Sequence, residues 1–153
     1  MTPRWRLAVR LVGAALLLAM AWIHEHLYGI GYSTVPTIGP LFRLDAVLGV
    51  GAAALVLLTP ERWWRWACAA GALLQIGTLA ALVQSLTIGA FGFTETLDAP
   101  LVWQTILVET LGFAVLAAGA VVRPAPVPGP RHGTEREERD HRARGVRGGS
   151  AAG

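Results

Sequence analysis

The chain has 153 residues, 54% of them hydrophobic and only 15% charged, with a formal charge of +3. A soluble domain of this size needs more polar surface to cover its core. Its apolar residues come in blocks, not at helical or strand spacing, so a soluble globular fold is excluded. Nucleic acid is excluded as a partner, because residues 1–122 hold six Arg against six acids and the surplus lies entirely from Arg123 onward. There is no Lys, and with abundant Ala and Gly this looks like the codon bias of a GC-rich bacterial genome.

A bilayer core of ~30 Å needs roughly 20 apolar residues in a helix. Four stretches qualify, and they predict an all-α integral membrane bundle of four antiparallel transmembrane helices over residues 1–123. The first span covers about 7–28. The second covers about 44–59 and ends at Pro60, which cannot continue a helix from within. The third covers about 66–86, interrupted by Gln75 and Gln84. The fourth covers about 100–122, with Pro100 in its first turn and Glu109 as its one charge. Residues 124–153 open on four prolines in seven residues and end in Gly, Ala and Ser, which predicts a disordered Pro/Arg/Gly-rich tail.

Orientation follows from Arg placement, because positive charge near a span resists translocation. Arg4, Arg6, Arg10, Arg62, Arg65 and Arg123 fall on one side and Arg43 alone on the other. The expectation is the cytoplasmic membrane, with both termini cytoplasmic. Trp5, Trp63, Trp64 and Trp66 flank the inner ends and Trp22 and Trp103 the outer ends, where indoles favour the headgroup layer. Arg-rich residues 4–10 and Ala19-Met20-Ala21 imitate a cleaved signal peptide. Because the apolar block runs on into Trp22 and Ile23, the first span is read as retained.

Candidate functional residues gather toward the outer face. His24, Glu25 and His26 end the first span, Arg43 and Asp45 begin the second, and Glu95 and Asp98 lie in the second outer loop. Glu109 is the most informative, since a carboxylate inside a span is expensive and faces protein or water with a partner. Arg43, the only outer Arg, is expected to pair with Glu109 or Asp45. His24 and His26 invite a metal site. At positions i and i+2 of one helix, however, they point about 200° apart and would need an extended segment to share an ion. Lone Cys68 in an apolar run is read as a structural thiol. The chain has no GxSxG, CxxC, HExxH or Walker pattern, so no catalytic residue and no cofactor is assigned. Small residues (Gly49, Gly51, Ala52 and Ala53; Gly71; Gly112) allow close helix contacts. The segment Gly29–Phe42 is apolar yet full of helix breakers, and predicts a lid or shallow re-entrant segment over the bundle.

The series His26-Leu27-Tyr28, Gly31-Tyr32 and Pro36-Thr37-Ile38-Gly39-Pro40-Leu41-Phe42 resembles a pattern in small, mostly uncharacterised four-span membrane proteins of GC-rich bacteria. Phe91-Gly92-Phe93-Thr94-Glu95 is similar to their second outer loop. That resemblance implies the same fold and topology and names no reaction. The leading expectation is therefore an accessory or binding protein acting through its outer face or helix faces, with the lipid bilayer and another membrane protein or a second copy as partners. Two alternatives stay open: a small ion-coupled transporter acting as an oligomer, and a metal-binding or redox membrane enzyme.

Overall fold

In hydrocarbon a chain must satisfy its own backbone, and a helix does so within one segment. Each of the four apolar runs takes that form in the computed structural model, which describes residues 3–122. The tail expected over residues 124–153 lies outside the described residues. The helices are α1 (Pro3–Ile30), α2 (Ile38–Leu58), α3 (Glu61–Thr87) and α4 (Val102–Val121), with a 3-10 turn at Tyr32–Thr34. All four are long and apolar enough to cross a membrane.

Three helices run past the apolar blocks that announce them. Pro40 fits the first turn of α2, where its missing N–H costs nothing, so α2 begins at Ile38 instead of residue 44. The run Glu61-Arg62-Trp63-Trp64-Arg65-Trp66 is polar enough to hide its helicity, yet it forms the first turns of α3 behind Pro60. α4 is the exception. It starts two residues after Pro100, because Leu101 adopts a left-handed conformation at φ 62°.

Consecutive helices pack against one another and α1 closes the ring on α4, while α2 and α4 lie on a diagonal without contact. The inward stripe repeats in steps of three and four residues, as packed antiparallel helices require. On α4 it is Val102, Thr105, Glu109, Gly112, Leu116 and Gly119. On α1 it includes Val9, Leu17, Met20, His24 and Leu27.

The interior divides along its length. Toward the end where α1 begins and α4 stops, Val9, Leu17, Val56, Trp64, Cys68 and Leu116 form an apolar plug, each at most 3% exposed. Trp64 thus belongs to the core and not to the headgroup layer, unlike the exposed Trp63 and Trp66. Arg10 reaches from α1 to the last carbonyls of α2, donating to Val56, Leu57 and Thr59 at 3.2, 2.7 and 2.9 Å. Arg65 donates to the Ala120 carbonyl at the end of α4.

Glycine makes the closest helix approach possible. A Cβ on Gly49 would stand 2.8 Å from Met20 Cε and 3.1 Å from the Leu17 carbonyl oxygen, whereas Gly51 faces open space. The expected grouping of Gly49 with Gly51 in one contact is therefore corrected. Gly49→Ala is expected to destabilise by about 1–3 kcal/mol through overpacking. Gly51→Ala is expected to be neutral or to gain up to ~1 kcal/mol of helix propensity. Thermal unfolding of both in the same detergent checks the contrast.

Candidate functional site

The end opposite the start of α1 is closed by the α1–α2 and α3–α4 connections. Half of the segment expected as a 14-residue lid belongs to α1 and α2, leaving residues 31–37 as connection. What covers the bundle is Tyr32 from the 3-10 turn together with Phe93 and Glu95 from the second connection. Tyr32 donates to Glu95 Oε2 at 2.6 Å, stacks on Phe42 at 4.9 Å and meets Phe93 edge-on at 5.8 Å. The Glu95 N–H donates to the Ser85 carbonyl, tying the second connection to α3.

Three non-glycine residues carry positive φ among the described residues, Thr37, Phe91 and Leu101, and all lie in these connections. Each such residue costs on the order of 1–3 kcal/mol, so the cap is held against local strain by its contacts. Burial of the phenol, its hydrogen bond to Glu95 and that carboxylate's charge all push the Tyr32 pKa well above its ordinary value. The folded chain therefore keeps this proton after the unfolded chain has lost it. The contribution is intact below pH ~10, the ordinary tyrosine value, and stability falls as pH rises beyond it. Tyr32→Phe is expected to flatten that alkaline slope in thermal unfolding measured between pH 8 and 11.5.

Beneath the cap lies a cavity of about 100 Å³, mostly apolar, with Leu27, Ile38, Leu41, Phe42, Phe93 and Val102 among its walls. Its floor is polar. Each of three helices contributes an ionisable side chain: His24 from α1, Asp45 from α2 and Glu109 from α4. The inward stripe dictates this, since His24 and Glu109 occupy it and His26 does not. His24 Nε2 stands 3.9 Å from Asp45 Oδ2 and 4.0 Å from Glu109 Oε1. The His24 side chain is 7% exposed, that of Asp45 25% and that of Glu109 1%.

The proton positions follow from the acceptors. His24 Nδ1 lies 2.9 Å from the Met20 carbonyl, which can only accept, so Nδ1 carries a hydrogen. Nε2 then faces two carboxylates across gaps too long for direct hydrogen bonds. Neither Glu109 oxygen accepts a hydrogen bond. The Thr78 hydroxyl is beside that carboxyl, but it has one proton, for which the Leu74 and Gln75 carbonyls at 3.2 and 3.0 Å compete. The Gln75 amide, fully buried against Gly112, has no hydrogen-bond partner either, and neither has the Ser85 hydroxyl on the cavity wall.

Other expected residues stand apart from this floor. Arg43 pairs with Glu25 at 3.3 Å and lies over the Tyr28 ring, both partners more than half exposed. The expected Arg43–Glu109 or Arg43–Asp45 pair is thereby corrected. Asp45 is two positions after Arg43 on one helix, so turning Asp45 inward turns Arg43 outward. His26 is exposed and stacks on Trp22 at 5.1 Å, so the two histidines do not converge. Glu95 belongs to the cap, and Asp98 is exposed on the second connection. Among the described residues, no group of three or more His, Cys, Asp or Glu has an arrangement that could hold a metal ion. His24 as a neighbour of Glu109 was missed, although the steps of three and four along α1 and α4 mark both as inward.

No family model matches the chain, and no curated protein or solved structure matches it either. Fold and cavity together define a small multi-pass helical membrane protein, and any function has to be argued from the cavity itself.

Proposed function

We propose that this chain is a binding protein of the cytoplasmic membrane, with both termini cytoplasmic, that holds a small ligand under its outer cap. The single observation that carries this reading is the cavity, whose apolar walls end on a polar floor with unused hydrogen-bonding groups. Concave, largely apolar pockets with a few convergent polar groups are the usual form of ligand sites. The orientation rests on the same Arg asymmetry that the sequence displays, since Arg10 and Arg65 cluster where α2 and α4 end. The likeness to small four-span proteins of GC-rich bacteria also supports the site. Its quoted segments contain Leu27, Tyr32, Ile38, Leu41, Phe42, Phe91, Phe93 and Glu95, all of which line the cavity.

A carrier would need a path onward from Glu109 to the opposite end. There the apolar plug of Leu17, Val56, Cys68 and Leu116 is in place, which favours binding over passage. The test is native mass spectrometry of tagged protein taken from its own membrane in mild detergent. A stoichiometric small-molecule adduct is expected, and Ser85→Leu should remove it by filling the cavity at a position whose hydroxyl makes no hydrogen bond. Identical adduct-free spectra for both proteins would count against the reading. Proton- or ion-driven uptake into vesicles by the purified chain would put the carrier in its place.

A further inference from the structure

The three ionisable groups of the floor, His24, Asp45 and Glu109, bring acceptor atoms and no Lys or Arg to the cavity. With its Nδ1 hydrogen given to Met20, His24 turns Nε2 toward the carboxyl groups of Asp45 and Glu109, whose oxygens lie 3.9 and 4.0 Å from it. A donor with several N–H groups is the chemical complement of such a set. The Arg that the sequence suggests for this task points away to Glu25. The charge agrees: beyond the Arg43–Glu25 pair, the described residues of this half hold Asp45, Glu95, Asp98 and Glu109 with no Arg. Acidic character alone would say little. The second observation is Glu109, fully buried, lining the cavity, with both oxygens lacking a hydrogen-bond partner.

We propose that the cavity is a receptor site for a small alkylammonium ion, its –NH3+ group held by His24 Nε2, Asp45 and Glu109 and its alkyl body by the apolar and aromatic wall. This deepens the binding-protein reading and rests on it. Size and wall chemistry set the class. An apolar cavity of about 150 Å³ accommodates benzene, so about 100 Å³ suits a body of roughly four or five heavy atoms. Phe42 meets His24 edge-on at 5.1 Å, which puts an aromatic ring next to the cation's seat. A hydrated inorganic ion gains nothing from Leu27, Ile38, Leu41 and Phe93, whereas an alkyl chain does. Protons compete for the same acceptors. The groups facing the ammonium are His24 from α1, Asp45 from α2 and Glu109 from α4, with Thr78 but no titratable group from α3, and Glu95 and Tyr32 in the cap above. Binding therefore weakens as pH falls.

The experiment is thermal unfolding of the full chain in mild detergent, titrated separately with n-butylammonium, with 1-butanol and with sodium or potassium chloride at matched ionic strength. The expected result is a saturable rise in Tm with butylammonium alone, with an affinity at least tenfold weaker at pH 5.5 than at pH 8. Asp45→Asn and Glu109→Gln should each weaken it at least tenfold, and either one suffices should the other fail to fold. Ser85→Leu should abolish it. An equal response to butanol overturns the ammonium assignment and leaves the binding-protein reading standing. An equal response to an inorganic cation does the same. No response to any probe, with Ser85→Leu leaving the native mass spectrum unchanged, removes both.

Discussion

Glu109→Leu is expected to raise the stability of the bundle by about 1–4 kcal/mol and to destroy ligand binding at the same time. The sign is the informative part. A buried carboxylate whose oxygens accept no hydrogen bond is desolvated without compensation. Leucine, of similar volume, fills the same space at no such cost. The contrary expectation treats Glu109 as one half of a buried pair with a protonated His24. Removing it would then strand an imidazolium and cost about 3–5 kcal/mol. The 4.0 Å gap to Nε2, too long for a direct hydrogen bond, argues for the first case. Chemical or thermal unfolding of wild type, Glu109→Leu and Glu109→Gln in mixed micelles decides between them. A more stable, non-binding Glu109→Leu protein would mark the residue as retained for function at the expense of stability.

The four apolar blocks are so long and so poor in charge that the number of spans and their antiparallel order could be read directly. Span ends were less legible, because a helix does not stop where hydrophobicity does. Glu61-Arg62-Trp63-Trp64-Arg65-Trp66 reads as a boundary, but its backbone continues the helix and turns Trp64 inward under Arg10, whose guanidinium lies 5.4 Å from the ring centre. Glu109 was recognisable as an inward charge from its composition context alone. Its neighbours were not, since charge complementarity pointed to Arg43 and the packing register chose His24. The same 200° rule that separates His24 from His26 also separates Arg43 from Asp45. Applied to α2 as it was to α1, that rule would have excluded Arg43 from any inward pair with Asp45. The cavity itself has no linear signature. Its lining comes from all four helices and both connections, and one-dimensional periodicity says which side of a helix faces in but not which inward residues meet.

Arg10→Ala is expected to give the largest loss of stability of any single arginine substitution, about 3 kcal/mol or more. In the sequence Arg10 is one of several positive charges near the first span, interchangeable with its neighbours as a topology signal. In the fold it does something they do not. The last carbonyls of a helix have no partner within it, and the negative end of the helix dipole gathers there. Arg10, its side chain 15% exposed, donates to three such carbonyls of α2 and also lies 3.5 Å from Glu61. Charge-assisted hydrogen bonds of this kind contribute about 1.5–3 kcal/mol each when measured singly, and the three share one side chain, so they do not simply add. Arg10→Lys separates the two roles. Lysine keeps the positive charge and hence the orientation, but it lacks the planar fork that spans Val56, Leu57 and Thr59 at once. Reporter fusions should show unchanged topology for Arg10→Lys, while unfolding in detergent shows it recovering only part of the loss seen in Arg10→Ala. Equal stability for lysine and arginine would reduce the residue to its charge. A stability loss in Arg10→Ala no greater than in Arg62→Ala would remove the capping role altogether.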